Sequence, residues 1–324
     1  MLDVAGNLLD RVRATSADVA AQAMSVHIDD DALGSYATAL QPDVPQSLTL
    51  DPEHHYLGHG TETVTFLLTL DAINFGSGYF PHLERIEGLS GYFTVAHHLT
   101  AYFREHAPVS ASELASLTAG DCARIFGQSM DDPDRAHLMR LFAGALNEFG
   151  IFVDERYADS VPQLVDDAAH SAAKLVTILT EMPSFRDIAV YRGAEVAFLK
   201  RAQLAVSDLN VAFRGTEWGA FDDLSELTIF ADNTVPHVLH VDGVLRYAPE
   251  LGEQIQRGEQ LLAGSDEEIE IRACAVTACE RIAATIRRDD ATFLTRDLDY
   301  LLWNRGQLPR YRATLSHRTR TIAY

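Results

Sequence analysis

Cysteine is scarce in this chain: Cys122, Cys274 and Cys279 are the only three among 324 residues. An odd number with no CxxC pair and no metal-ligand spacing argues against a disulfide framework and leaves a thiolate metal site without its ligands. Long apolar runs are missing as well. No stretch approaches the roughly 18 consecutive apolar residues that a membrane-spanning helix requires, and the N-terminal MLDVAGNLLDRVRATSADVAAQAM has neither the basic segment nor the apolar centre of a secretion signal. The expectation is a cytoplasmic protein with no membrane partner. Basic residues are outnumbered, 26 Lys and Arg against 47 Asp and Glu, for a net charge of −21. Such a field repels a polyphosphate chain, so no polynucleotide partner is expected and any bound nucleotide should be small. Internal repeats and low-complexity linkers are absent too, and the composition shifts only at acidic turns such as MDDPD (130–134) and GSDEE (264–268). One compact unit is the simplest reading.

What is present is a 47% hydrophobic content arranged largely with helical period, enough for a substantial core. Leu199, Ala202, Val206, Leu209 and Phe213 step by three and four along one face. Ser265 and Glu268 have the spacing of a capping box, and Ile271, Ala275, Ala278 and Ile282 continue the inward stripe towards residue 290. Another helix is predicted from Thr295 through Leu298, Leu301 and Leu302, with Gly306 as its stop. Asp222 or Asp223 is placed to cap a short helix through Phe230, and Pro236 to start the next. Asp242-Gly243 then gives a tight turn before VLRY, a helix, hairpin, helix pattern. Strand signals are weak: VAFLK (196–200) reads as helix entry, and SHRTRTIAY (316–324) as an extended tail. The fold class is therefore mainly α, a single globular helical domain with room for a small β element. Residues 1–50 form an N-terminal helical segment with a proline-containing connector, packed on a main domain of 51–324.

Several stretches carry residues suited to chemistry. Asp232 follows Leu227, Ile229 and Phe230, so its carboxylate belongs either at the mouth of an apolar wall, where desolvation makes it useful, or at the cap of the next helix. In LDYLLWNRG (298–306), helical spacing sets Asp299 one turn before Trp303 and Tyr300 one turn before Asn304. Such a group can stack a planar heterocycle and hydrogen-bond its edge, or simply be a core-edge helix with Trp303 buried and Asp299 solvated. DAINFGSGYF (71–80) spends two glycines after Asn74 and Phe75 on a turn that a ligand could approach closely; it matches no phosphate-loop template. HHYLGH and VAHHL supply His54, His55, His59, His97 and His98. With no HExxH and no carboxylate at a familiar offset, no metal is expected, and a histidine contact to a ligand is the better reading. Lys200 and Arg201 could face a phosphate from the helix flank opposite the apolar stripe, with Gln203 beside them; Arg318 and Arg320 are a second source of positive charge.

Seven of these segments, in order, resemble the queuosine salvage protein family, the queuosine 5′-phosphate N-glycosidases: LDAINFGSGYF, PSFRD (183–187), VAFLKRAQ, LTIFADNTVPHVL with GVLRY after it, EIEIRAC, LDYLLWN and HRTRTIAY. The resemblance runs from about residue 50 to 324. It implies a fold similar to the helix-hairpin-helix DNA glycosylases, acting on a free nucleotide to release queuine and ribose 5-phosphate, with no cofactor. Breaking a ribosyl C–N bond builds positive charge on the sugar, so a carboxylate beside C1′ stabilises the transition state and orients or deprotonates water. A 7-deazapurine has no N7 to protonate, which shifts the burden to the oxocarbenium-like sugar. Carried over by motif, Asp232, Phe230, Asp299, Tyr300 and Asn304 surround the base and sugar, with His54 or His55 nearby. Asp232 and Asp299 are the two working carboxylates, one at the sugar and one at the guanine-like edge. The family often has Asp where this chain has Asn304, and GSGY differs from a more aromatic turn in some relatives, departures that bear on base-edge recognition. A non-enzymatic binder of a deazapurine base or nucleotide would use the same pocket without turnover.

Overall fold

The computed structural model describes residues 7–40 and 48–324. It is mainly helical, as expected, and strand is confined to two antiparallel ladders of two strands each among the described residues. The chain divides into two compact units: Met1–Leu48, Asp187–Gln203 and Asp223–Arg320 make the first, and Thr49–Arg186, Leu204–Asp222 and Thr321–Tyr324 the second. None of the described helices is long and apolar enough to cross a membrane.

The first unit is built on the helix Asp266–Ile286, which starts where the capping signal places it: the Ser265 hydroxyl accepts from Glu268 N, and three acidic residues occupy the first turn, where the helix dipole favours them. The Glu268 carboxylate accepts from Gly264 N, so the capping box closes one residue early. Buried residues occur all round this helix, because Leu8–Gln22 and Asp30–Leu40 pack on it. Between those two helices, Val26–Ile28 pairs with Leu245–Tyr247 in the register Val26 to Tyr247.

Glu270, buried in the long helix, fastens this arm. One carboxylate oxygen accepts from Met24 N (3.0 Å), Ser25 N (2.6 Å) and Val26 N (3.2 Å), and the other from the Tyr191 hydroxyl (2.8 Å). A buried charge is tolerable only with such a complement of donors. Glu270→Gln turns one acceptor oxygen into a donor facing donors, so we expect a loss of about 1–3 kcal/mol, read as a lower urea midpoint at unchanged slope. An unchanged midpoint would mean that the three N–H groups find other partners.

Two expectations are corrected here. VAFLK is not simply helix entry: Ala194–Ala197 is a strand paired with Ile188–Tyr191, and the helix starts at Lys200. The hairpin turn has positive φ at both central residues, Arg192 (50°) and Gly193 (86°), the geometry that matches strand twist but is usually announced by Asn-Gly. The predicted helix from Asp222 or Asp223 to Phe230 is also absent; a single 3₁₀ turn covers Leu224–Glu226, and residues 227–231 belong to no helix or strand. Gly306 is the last residue of the helix Thr295–Gly306, followed by Gln307 as its cap. A Cβ on Gly306 would stand 2.5 Å from Thr234 Cγ2, so the missing side chain permits close packing on the helix Thr234–Val241.

The second unit centres on Thr61–Ala72, whose residues 63–72 are all buried, together with Gly91–His106 and the 25-residue Pro133–Tyr157. Pro133 at the first helical position and Asp132 accepting from two N–H groups explain where the last of these begins. Gly150 lets the helix Ala111–Ser116 approach, since a Cβ would lie 2.3 Å from the Ala111 carbonyl oxygen. Phe142 stands edge-on to both Phe75 and Phe126, with 5.3 Å between ring centroids in each pair.

Candidate active site

The segment 227–231 runs through the first unit buried at every residue and outside any helix or sheet. Buried backbone must find partners, and here side chains supply them. Gln203 accepts from Thr228 N (2.9 Å) and donates to Phe198 O (2.9 Å); Asp299 Oδ1 accepts from Phe230 N (2.8 Å); Arg272 Nε donates to Ala231 O (2.9 Å). Three helices thus do the work of a neighbouring strand, and they aim the ledge at the residue that follows it.

That residue is Asp232. Its Oδ1 accepts from Thr234 N (2.6 Å) and Val235 N (3.2 Å), so it holds the first turn of Thr234–Val241, a helix that begins two residues before Pro236. Capping is accomplished with one oxygen. Both backbone donors fall on Oδ1, and the Thr234 side chain also hydrogen-bonds the carboxylate. Burial pushes the carboxyl above the ordinary 3.8, opposed by Lys200 and by the two N–H groups. Capping and chemistry are therefore compatible uses of the same side chain.

Lys200, Arg201 and Gln203 do not lie on a solvated flank. They are 5%, 1% and 0% exposed, because the helix Lys200–Ala212 is buried almost all round its first three turns. Leu199 turns the chain into this helix with φ 55°, an uncommon value for a branched residue, while Phe198 N and Leu199 N donate to Asp187 O (3.0 and 3.3 Å). Lys200 N donates to Asp187 Oδ2 (3.2 Å).

On the helix Thr295–Gly306 the burial is the reverse of the core-edge alternative: Asp299 is 6% exposed, whereas Tyr300 and Trp303 are half-buried. Asn304 is exposed, and its amide donates to Tyr300 O (2.8 Å) in its own helix. Phe230 is buried beside the Asp299 contact. The first unit therefore holds Lys200, Arg201, Phe230, Asp232, Asp299, Tyr300, Trp303 and Asn304.

His54, His55, Asn74 and Phe75 belong to the second unit. His55 is buried, which lowers its pKa and keeps the ring neutral. Nδ1 faces Asp51 O (2.8 Å) and so carries the proton, leaving Nε2 to accept from the Tyr92 hydroxyl (3.0 Å). Burial, then the carboxylates of Asp208 and Asp71, hold the Tyr92 phenol protonated. His54 Nδ1 lies 3.3 Å from His97 Nδ1, and Asn74 donates to Asp71 Oδ1 (3.4 Å). Folding also brings Asp51 and Glu53 beside His54, and Asp132 and Asp134 beside His82, each trio with ligand-type atoms within 4.8 Å. These carboxylates are not at offsets that announce a metal in the sequence. Two of these aspartates also serve the backbone: Asp51 accepts from Glu53 N, and Asp132 from the helix that follows it.

The residues that sequence reasoning left without a role are Asp187 and Arg272, although PSFRD and EIEIRAC contain them, and Tyr92. The first two meet across 85 positions of chain, a separation over which no periodicity operates.

A family model described as queuosine salvage protein matches residues 54–324. The chain is 39% identical over 322 residues to the queuosine 5′-phosphate N-glycosylase/hydrolase of Sphaerobacter thermophilus, covering 97% of each. It is 30% identical over 337 residues to the protein of that name from Dictyostelium discoideum, covering 98% of this chain and all of the other. The corresponding Mus musculus protein is 32% identical over 246 residues, 72% of each chain.

Proposed function

The chain belongs to the queuosine salvage protein family, and from that premise we propose that it hydrolyses the N-glycosidic bond of queuosine 5′-phosphate to queuine and ribose 5-phosphate. The observation that carries the chemistry is Asp232, fixed through one oxygen at a helix N-terminus and influenced by the Lys200 cation. In the reaction the C1′–N bond breaks with its electron pair leaving on the base, and positive charge develops at C1′. Asp232 stabilises that charge and takes one proton of the water whose oxygen adds to C1′; a proton is delivered in turn to the ring nitrogen of the departing base, so that neutral queuine leaves and the carboxylate is restored.

The two carboxylates divide by their surroundings. Lys200 acts on Asp232, and a cation belongs with the phosphate-bearing ribose, so Asp232 takes the sugar side, with Lys200 and Arg201 towards the phosphate. Asp299 shares a helix with Tyr300 and Trp303, aromatic surfaces suited to a planar base, so Asp299 takes the guanine-like edge, with Phe230 alongside and Asn304 at the outer rim. The net charge of −21 favours a free nucleotide over a duplex. The same reading includes a helix-hairpin-helix glycosylase-like architecture for residues 51–324, residues 1–50 as an N-terminal helical segment packed on it, and a cytoplasmic location without polynucleotide or membrane partners.

Release of queuine from queuosine 5′-phosphate by the purified protein tests the proposal; a stoichiometric complex that leaves the nucleotide intact would instead identify a binder. Lys200→Met provides a finer check. Lys200 holds the Asp232 carboxyl down, so its removal lets burial raise that group further. Activity needs the anion, which exists above the carboxyl pKa and is lost as pH falls through it. The acid limb of kcat/KM should therefore move to higher pH in the variant, with KM for the nucleotide up about tenfold from the lost phosphate contact. An acid limb at the wild-type position would separate Lys200 from Asp232.

A further inference from the structure

We propose that the buried Asp187–Arg272 pair is a positioning device that sets Lys200 and Asp232 relative to each other; this rests on the roles given to those two residues above. Arg272 is held in every direction a guanidinium offers. NH1 and NH2 form a fork on Asp187 Oδ1 (3.0 Å) and Oδ2 (2.6 Å), NH1 stands 3.6 Å from Glu268 Oε1, and the flat face covers the Phe198 ring at 3.9 Å. Nε donates to the carbonyl of Ala231, the peptide that leads directly into Asp232.

Asp187 serves the other side. Its Oδ2, already in the fork, accepts from Lys200 N, and its carbonyl accepts from Phe198 N and Leu199 N, the residues that turn the chain into Lys200. One forked ion pair therefore links the backbone before Asp232 to the backbone at Lys200, with the Phe198 ring packed under its guanidinium. Both side chains are buried, with 2% and 5% of their side-chain surfaces exposed. A buried ion pair is a poor source of stability, since well-packed apolar residues often do as well or better. What apolar residues cannot supply is two directed contacts, 31 residues apart in sequence between Lys200 and Ala231, referred to one ion pair.

Arg272→Lys retains the charge and loses the fork, the flat face and the Nε contact. We expect kcat on queuosine 5′-phosphate to fall about 100-fold, the scale of an ångström-level misplacement, with KM changed less than about threefold. A purely structural role predicts the opposite pattern, a lower thermal midpoint with wild-type kcat per folded molecule, and that result would overturn the proposal. Should Arg272→Lys not fold, Phe198→Leu keeps the fork on Asp187 and removes the aromatic surface under the guanidinium, together with a little core volume. It should lower kcat about tenfold at unchanged KM, and wild-type kcat there is likewise contradictory. Wild type and Asp232→Asn are assayed alongside. If wild type releases no queuine, or Asp232→Asn matches it, the underlying reading has failed and takes this proposal with it. If those two behave as expected and both positioning variants keep full kcat, only the positioning device is wrong.

Discussion

Asp232→Asn is expected to lower kcat by roughly 10²–10³-fold while leaving the protein at least as stable as wild type. The activity loss follows from charge: an amide neither stabilises an oxocarbenium-like sugar as an anion does nor accepts a proton from water. Stability follows from linkage. The folded-state carboxyl lies above the ordinary 3.8, chiefly through burial. Ionisation of a group with a raised pKa costs the folded state stability at all pH values above the raised one. That cost shrinks as pH falls through the raised value and is gone below 3.8. Asparagine removes the cost, and its amide oxygen still accepts from Thr234 N, so the helix keeps its cap. Queuine release gives kcat, and a melting curve at neutral pH gives stability. A variant within tenfold of wild-type kcat removes Asp232 from the chemistry, and a clear fall in the midpoint assigns it mainly to capping.

At Asp299 the two substitutions to asparagine and alanine separate chemistry from support. Asp299→Asn retains an oxygen for Phe230 N, so the ledge should stand. Its amide nitrogen then presents a donor where the base edge of a 7-deazaguanine also presents donors. A site left with mismatched buried polar groups discriminates strongly, so kcat/KM should fall roughly 10²–10³-fold, with the unfolding midpoint close to wild type. Asp299→Ala should lose at least as much activity and, in addition, about 1–3 kcal/mol of stability, because Phe230 N is left unsatisfied inside a buried segment. Chemical denaturation of the three proteins, paired with steady-state kinetics, reads both effects. Equal stability of the alanine variant would show that the ledge does not depend on this carboxylate.

What could be read from the sequence follows from how local each signal is. The helix Asp266–Ile286 announces itself by its capping Ser265, and both it and Thr295–Gly306 by apolar stripes several turns long. The run LTIF is only four residues, and a short apolar run has no period to separate helix from extended chain. The pattern predicts helix and the segment is neither helix nor strand, because Gln203, Asp299 and Arg272 offer it hydrogen bonds from elsewhere in the chain. The face of Lys200–Ala212 fails for a related reason. The apolar stripe is real, but the polar residues opposite it are buried too, around contacts such as Asp187 that lie outside the helix. Within the candidate site, the residue types at 232 and 299 were legible as carboxylates beside apolar and aromatic neighbours. That Asp232 directs one oxygen to two N–H groups of the following helix is a matter of geometry, which spacing does not encode.

The most direct test of the central claim is a time course of queuine and ribose 5-phosphate from queuosine 5′-phosphate, with purified wild type and Asp232→Asn measured side by side by chromatography. The account predicts both products from wild type in equal amounts over many turnovers, and a rate at least a hundredfold lower from the folded variant. Intact nucleotide after prolonged incubation with wild type, or equal rates from the two proteins, would contradict it.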